Sequence, residues 1–207
     1  MNKIKLIGTV KGKPEYSHKV LGEKFYSFIL ETKRKSETVD SLVCVAPELL
    51  INNIEENSRI EINGEIRTRS VEDENGKKHL SLSVFCNSIE VTDEDYDTNE
   101  VEVVGFTCKK ATLRETPNGR EVSECLIASN RERMSHKSDY IPFIAWGRNA
   151  HRLYETNVGQ KLNLTGRLQS RVYKKTLESG LEDYKTTYEL SVSSLVESED
   201  SNESCNK

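Results

Sequence analysis

The sequence predicts an all-β protein made of two tandem five-stranded barrels, each with one short helix. Three observations predict this class: an internal repeat of about 95 residues, short segments in which apolar and polar residues alternate, and turn residues at regular spacing between those segments. With 35% hydrophobic and 31% charged residues, the chain of 207 residues has enough apolar side chains for one or two modest cores. Two domains near 100 residues each are therefore expected.

The repeat appears as matching segments along the two halves of the chain. NKIKLIGTV at residue 2 returns as NEVEVVGFT at residue 99, and DSLVCVA at residue 40 returns as DYIPFIA at residue 139. INGEIRTRSV at residue 62 returns as LTGRLQSRVY at residue 164. These matches predict an N-terminal domain at residues 1–98 and a C-terminal domain at residues 99–196. The acidic segment 197–207 is predicted to be a disordered tail.

Each copy contains five segments with the period of two that is typical of strands. In the first copy the strands are predicted at 4–10, 25–32, 41–46, 59–69 and 78–91, and in the second at 101–109, 121–130, 139–146, 161–173 and 184–196. A helix is predicted between the third and fourth strands, at 47–54 and at 149–156. Three strands, a helix and two more strands are the order of the OB-fold, a partly open Greek-key barrel.

Several classes of function find no motif in the chain. The five cysteines form no C-x-x-C pair, which predicts neither a zinc site nor a disulfide framework. A phosphate-binding loop, an H-E-x-x-H helix and a nucleophile elbow are all missing, so neither catalysis nor a cofactor or metal is expected. The chain has neither a run of about 18 apolar residues nor a signal peptide, so a cytoplasmic, nucleoid-associated location without membrane contact is expected.

The charge is distributed unevenly between the copies. The net charge is −4, but residues 1–98 hold 14 Lys and Arg against 18 Asp and Glu, whereas residues 101–196 hold 15 against 11. A basic C-terminal copy is consistent with binding to phosphate groups. The candidate phosphate contacts are Arg131, Arg133, Arg148, Arg167, Arg171, Lys174 and Lys175. The alternative is that they are ordinary surface charges on a solvated hairpin.

Aromatic residues accompany these cations. Tyr140 and Trp146 are six residues apart, so on an extended strand they project from one face about 20 Å apart, and Tyr173 follows Arg171. Exposed rings beside cations are what sequence-independent binding of single strands requires, because bases stack on the rings while the backbone meets the charges. A buried ring that plugs the barrel is the alternative for Trp146, but Pro47 occupies the matching position of the first copy.

The segment DYIPFIAWGRNAHRLYETNVGQKLNLTGRLQSRVY, residues 139–173, resembles the bacterial single-stranded DNA-binding protein family. The resemblance implies an OB-fold whose stacking rings are Tyr140, Trp146 and Tyr173, with a fourth position near Arg133 that is not aromatic here. It also implies a particle of four OB-folds, which a homodimer of this chain would supply. The family recruits replication and repair proteins through an acidic tail with an apolar tip; this tail ends in Cys-Asn-Lys and is expected to be solvated only.

The first copy departs from this pattern at all three stacking positions, where it has Ser41, Pro47 and Val71. The C-terminal copy is therefore expected to be the main single-stranded DNA site and the N-terminal copy a structural or assembly domain. One alternative is a separate stacking surface in the first copy, made by Tyr16, Phe25 and Tyr26. For the whole chain, the alternatives are a protein-binding OB-fold adaptor of a primosome or phage replication complex, and oligosaccharide binding.

Overall fold

A computed structural model describes residues 1–73, 76–131, 134–176 and 182–197, with side chains for all of these except 134–136, 175–176 and 182–183. The described residues form eleven strands and two helices. In chain order these are β1 (Asn2–Val20), β2 (Glu23–Lys33), β3 (Val39–Pro47), α1 (Glu48–Ile51), β4 (Arg59–Glu72), β5 (Lys78–Val91), β6 (Thr98–Thr107), β7 (Thr112–Glu115), β8 (Glu121–Arg131), β9 (Met134–Trp146), α2 (Arg148–Glu155), β10 (Lys161–Thr176) and β11 (Glu182–Glu197).

Each copy closes into a five-stranded barrel. In the first copy the order is β1-β2-β3-β5-β4, and β4 pairs back with β1; the pairing of β3 with β5 is parallel and the others are antiparallel. In the second copy the order is β6-β8-β9-β11-β10, with β9 parallel to β11 and β10 returning to β6. The OB-fold prediction is confirmed for both copies.

The first strand differs from its predicted length. It was expected at 4–10, but β1 continues to Val20 because its second half pairs with β2 in a hairpin, where Tyr16 lies opposite Tyr26 and Val20 opposite Glu23. Leu21 and Gly22 turn the chain at positive φ. The second copy has no such extension, since β6 ends at Thr107 and the separate short strand β7 covers the edge of β8.

The two helices also differ from each other. The second is found as α2, within one residue of the predicted 149–156. The first was predicted at 47–54, but α1 spans only Glu48–Ile51. No side chain caps its start, where Pro47 lies in an extended conformation, and no basic residue lies in its last turn to offset the helix dipole. The apolar residues Leu50 and Ile51 nevertheless pack against the core.

The barrel interiors contain the alternating apolar residues that the sequence pattern predicts. Leu6, Ile62 and Phe143 are among the side chains that are almost fully buried. Gly64 and Gly166 occupy matching positions at irregularities of β4 and β10, where an added Cβ would overlap the backbone oxygen of the neighbouring strand. Both copies therefore need a glycine at this place because the strands approach closely.

The two barrels join edge to edge. β1 pairs antiparallel with β6, with Ile4 opposite Val101, so that strands of both copies form one continuous sheet. Asn2 exchanges two side-chain hydrogen bonds with the backbone of Ile66, and Asn99 does the same with Leu168. Because Asn2 matches Asn99 and Ile66 matches Leu168, the junction has an approximate two-fold symmetry.

A second pair of symmetric contacts crosses the junction further out. Asp139 is fully buried and accepts hydrogen bonds from Arg131 in its own copy and from the backbone N–H of Thr68 in the other. Asp40, also fully buried, accepts from Arg34 and from the backbone N–H of Ser170. Side-chain contacts to backbone groups therefore hold the two barrels in one orientation. Among the described residues, no helix is long and apolar enough to span a membrane.

Candidate nucleic-acid interface

Two of the predicted stacking rings lie on the outer face of β9. Ile141, Phe143 and Ala145 point into the barrel and are buried, whereas Tyr140 is 46% and Trp146 39% exposed. This is the alternation that a strand imposes on its two faces. Trp146 is therefore not a plug of the barrel interior.

The chain turns sharply directly after Trp146. Gly147 has a φ of 53°, which favours glycine, and its N–H donates to the backbone oxygen of Glu121. α2 begins at the next residue, Arg148, whose side chain is exposed. The turn thus ends the strand with an exposed indole and follows it with an exposed guanidinium.

The third ring lies on β10. Arg167, Arg171 and Tyr173 are exposed and share the outer face by the period of two, while Leu168 on the opposite face is buried. Tyr173 is 44% exposed and lies opposite Lys185 of β11. Lys174 is exposed as well, but it points to the other face of the hairpin. The side chain of Lys175 and all of Arg133 lie outside the described residues.

Arg131 differs from the other predicted cations. Its Nε and Nη2 donate to the two carboxylate oxygens of Asp139 at 2.9 and 2.7 Å, and Nη2 also donates to the backbone oxygen of Thr68 at 3.4 Å. A guanidinium already held by a buried carboxylate and a carbonyl has few donors left for a phosphate. These contacts place the Arg131 side chain in the junction between the barrels, so the phosphate contact that the sequence predicts for it is less favoured than for the other cations.

Arg167 lies six residues before Tyr173 on β10 and has different neighbours. It lines a cavity of about 530 Å³ that also contains Lys33, Lys35, Asp97 and Glu100. Tyr173 lines a different cavity of about 840 Å³. Arg167 and Tyr173 therefore border different cavities, although both project from the outer face of β10.

The cavity beside Tyr173 lies between the two copies. The C-terminal copy contributes Pro142, Tyr173, Lys185 and Tyr188, and the N-terminal copy contributes residues of the β4–β5 hairpin, among them Lys77, His79 and Leu80. Burial raises the pKa of the Tyr188 hydroxyl above its ordinary value, so this group stays protonated to a higher pH than an exposed tyrosine. Sequence reasoning missed the hairpin residues, because their distance from Tyr173 is set by the packing of one barrel on the other.

The first copy has no ring at the three positions that match Tyr140, Trp146 and Tyr173. Ser41, Pro47 and Val71 are half-buried, and the backbone N–H of Ser41 donates to Ser170 across the junction. Phe25 is buried and stacks on His18. The hydroxyl of Tyr26 donates to Glu48, and that hydrogen bond raises the pKa of Tyr26.

Of the three residues considered for a separate stacking surface, only Tyr16, which is 58% exposed, presents a largely free ring. The alternative of a second stacking surface in the N-terminal copy is thus reduced to one tyrosine on the β1–β2 hairpin.

Comparison with known proteins agrees with the two-barrel architecture. The family model described as the single-strand binding protein family matches residues 1–92 and again 98–196. A curated relative, single-stranded DNA-binding protein 3 of Streptococcus agalactiae serotype V, is 29% identical over 114 residues, which is 53% of this chain and 81% of the relative.

Solved structures give the same fold over the whole chain. The wild-type single-stranded DNA binding protein from Thermus aquaticus is 20% identical, with a TM-score of 0.76 and coverage of 96% of this chain and 93% of that one. A deletion variant of the Thermus aquaticus protein gives a TM-score of 0.75 at 19% identity, covering 96% and 94%. Both tandem barrels match the same family model, and the chain therefore belongs to the single-strand binding protein family.

Proposed function

We propose that this protein binds single-stranded DNA with little sequence preference and protects it during replication, recombination and repair. The observation that carries the proposal is the set of three half-exposed rings, Tyr140, Trp146 and Tyr173, on the outer face of the C-terminal barrel. Membership of the single-strand binding protein family supports it, as does the similarity to the single-stranded DNA-binding proteins of Streptococcus agalactiae and Thermus aquaticus.

Stacking accounts for the first part of the binding energy. A base in a single strand exposes both faces, and an aromatic side chain that is held by a strand but open to solvent offers it a flat apolar surface. Every base has such a face, so binding through rings tolerates any sequence. Trp146 and Tyr140 lie on β9, whose neighbours β8 and β11 fix its position. The rings are thus pre-organised, which lowers the entropy lost on binding.

Cations account for the second part. Arg148 and Arg171 are exposed near Trp146 and Tyr173 respectively, and Arg167 adds positive charge on the same face of β10, whereas Lys174 is exposed on the opposite face. Arg133 and Lys175 remain candidates from the sequence. Phosphate contacts release counterions, so the affinity falls as the salt concentration rises.

The C-terminal copy, residues 99–196, is the main site in this proposal, and the N-terminal copy acts mainly in structure and assembly. The support is the contrast at matching positions: Ser41, Pro47 and Val71 offer no ring where the C-terminal copy has three. The excess of acidic residues in 1–98 also disfavours a strong phosphate track there.

The chain acts as a binding protein rather than an enzyme in this proposal, without a cofactor. It assembles as a homodimer, which would bring four barrels together. Light scattering coupled to size-exclusion chromatography tests the assembly: a mass near 47 kDa, twice the 23.6 kDa of one chain, is expected. A mass of one chain at micromolar concentration would contradict the dimer without affecting the binding proposal.

The intrinsic fluorescence of Trp146 provides the first test of binding, because the chain contains one tryptophan. The protein is titrated with a long oligothymidine and with a duplex of equal length, at low and at moderate salt. Quenching by the single strand only, at lower affinity in higher salt, is the expected result. If neither nucleic acid changes the Trp146 fluorescence, and the protein does not change the anisotropy of a labelled oligonucleotide, the proposal of single-strand binding is wrong. A protein-binding adaptor is then the better interpretation.

A further inference from the structure

The cavity beside Tyr173, named here the interdomain groove, has about 840 Å³ and is bounded by Pro142, Tyr173 and Lys185 of the C-terminal barrel and by Lys77, His79 and Leu80 of the N-terminal barrel. Its size lies within the range of roughly 300–1,000 Å³ that is usual for small-molecule sites. It therefore has room for part of a nucleotide chain.

The chemistry of the groove combines apolar surface with positive charge. Tyr173 is 44% and Leu80 42% exposed, and with Pro142 they give flat and apolar contacts. Lys77 and His79 are exposed on the opposite wall, and Lys185 lies beside Tyr173 on β11. Asp73 also lines the groove, so the described part of the lining holds two lysines against one carboxylate, and His79 adds ring nitrogens that can form hydrogen bonds.

The groove has a fixed geometry because buried contacts hold the base of the hairpin. Thr68 of β4 donates its N–H to Asp139 and accepts from the N–H of Tyr140 through its hydroxyl, at 2.7 and 2.8 Å. Thr68 lies on the same strand as the start of the β4–β5 hairpin, and Tyr140 lies two residues before Pro142. The strand that leads to the wall from the first copy and the strand that carries Pro142 in the second are thus joined by this pair of hydrogen bonds.

We propose that the interdomain groove is a nucleotide subsite shared by the two copies, in which a base stacks on Tyr173 while Lys77 and His79 contact its phosphates. This inference rests on the proposed function and extends it, because it gives the N-terminal copy a direct part in binding although it has none of the three rings. The nucleotide chain then passes from Trp146 along the outer face of β9 into the groove.

Lys77 and Lys78 form a matched pair for the test, since both are exposed and adjacent but only Lys77 lines the groove. Lys77→Ala and Lys78→Ala are made in the full chain, and the affinity for a long oligothymidine is measured by Trp146 quenching at several salt concentrations. Lys77→Ala is expected to weaken binding about threefold to tenfold and to reduce the salt slope by about 0.7, the value for one contact with a single strand. Lys78→Ala is expected to leave both unchanged.

Two further measurements separate a local contact from a general effect of charge. Combining Lys77→Ala with Tyr173→Ala should give less than the sum of the separate losses, because both side chains contact the same nucleotide. Ultraviolet cross-linking to a photoreactive oligothymidine, followed by peptide mass spectrometry, should mark Tyr173 together with residues 79–82 of the first copy. Thermal unfolding of each variant shows whether it remains folded.

The outcomes distinguish the two proposals. In one outcome, the Trp146 fluorescence of the wild-type chain is quenched on binding, Lys77→Ala and Lys78→Ala have the same affinity, and no cross-link falls within 79–82. The groove is then not a subsite, and the proposed function stands. If the wild-type chain binds no single strand, the proposed function and the groove fail together. A loss confined to Lys77→Ala, with cross-links on both walls, supports the shared subsite.

Discussion

Asp139 of the C-terminal barrel accepts a hydrogen bond of 2.7 Å from the backbone N–H of Thr68 in the N-terminal barrel. The carboxylate is fully buried, and it is held in addition by Arg131 and by Arg67 at 3.1 Å. Asp40 makes the corresponding bond of 2.8 Å to Ser170, so each barrel supplies one carboxylate to the backbone of the other.

Replacing Asp139 by alanine is expected to lower the free energy of unfolding by about 3–5 kcal/mol. Removing one partner of a buried ion pair leaves the other charge without compensation, here on Arg131, whereas Arg67 keeps its ion pair with Glu65. The N–H of Thr68 also loses its acceptor. Urea denaturation followed by circular dichroism measures the change. Asp95→Ala, which removes an exposed carboxylate, is the control. A cost below about 1 kcal/mol for Asp139→Ala would mean that the junction contributes little to stability.

Replacing Trp146 by alanine is expected to reduce the affinity for single-stranded DNA by about 1–3 kcal/mol, the usual loss of one stacked base. Because this variant has no tryptophan, the anisotropy of a labelled oligothymidine is measured instead. Tyr154→Ala is the matched control, since Tyr154 is 47% exposed in the same barrel but lies on α2 next to Lys110. Equal losses in the two variants would contradict a specific stacking role for Trp146.

Arg131 and Arg171 are expected to respond in opposite ways to truncation. Arg171 is exposed on the face of Tyr173, so Arg171→Ala should reduce the salt slope of binding by about 0.7 with little effect on stability. Arg131→Ala should leave the slope unchanged but destabilise the fold, because buried Asp139 loses one of its two arginine partners. Salt titration and urea denaturation measure the two effects. A change in the salt slope of binding without a loss of stability in Arg131→Ala would contradict the role of Arg131 in the junction.

Replacing Gly166 by alanine is expected to cost about 2–4 kcal/mol of stability, since a rigid backbone must move to admit the methyl group. The added Cβ would overlap the backbone oxygen of Ser191 at the irregular step between β10 and β11. Thr165→Ala at the preceding position is the control, and differential scanning calorimetry is the measurement. An unchanged melting temperature for Gly166→Ala would show that the two strands separate at little cost.

The buried thiol of Cys44 predicts that stability falls at alkaline pH. Burial raises the pKa of Cys44 well above the 9.0 of an exposed thiol, so above pH 9 the unfolded chain releases a proton that the folded chain keeps. The unfolded state then binds fewer protons, and the free energy of unfolding decreases with pH by up to about 1.4 kcal/mol per unit from this group.

The test of this prediction compares Cys44→Ala with Val84→Ala, which truncates a buried residue without an ionisable group. Both variants start from a lower stability because each leaves a cavity. Only Cys44→Ala is expected to show a shallower decrease between pH 9 and 10.5 in urea denaturation. Parallel curves for the two variants would rule out Cys44 as a source of the alkaline decrease.

Much of the fold could be predicted from the sequence because it depends on local periodicity. The alternation around Ile141, Phe143 and Ala145 already indicates a strand with a buried face, and the same rule puts Tyr140 and Trp146 on the other side. The repeat itself predicts two barrels, and the resemblance to the single-stranded DNA-binding proteins is confirmed by the family match to both copies. Strand and helix lengths were less predictable, as β1 and α1 show, because pairing partners and caps determine where an element ends.

The sequence by itself determined the two barrels, their strand order and the three outward rings, because a period of two and a repeated motif are properties of the chain alone. Only the tertiary structure decided which charged groups remain available. Arg131 looks like the other cations in the sequence, yet it is bound to Asp139 in a network that reaches Thr68, 71 residues away from Asp139. The contact of Lys77 and His79 with the groove of Tyr173 depends likewise on how one barrel packs on the other, and no local spacing encodes a distance between two folded units.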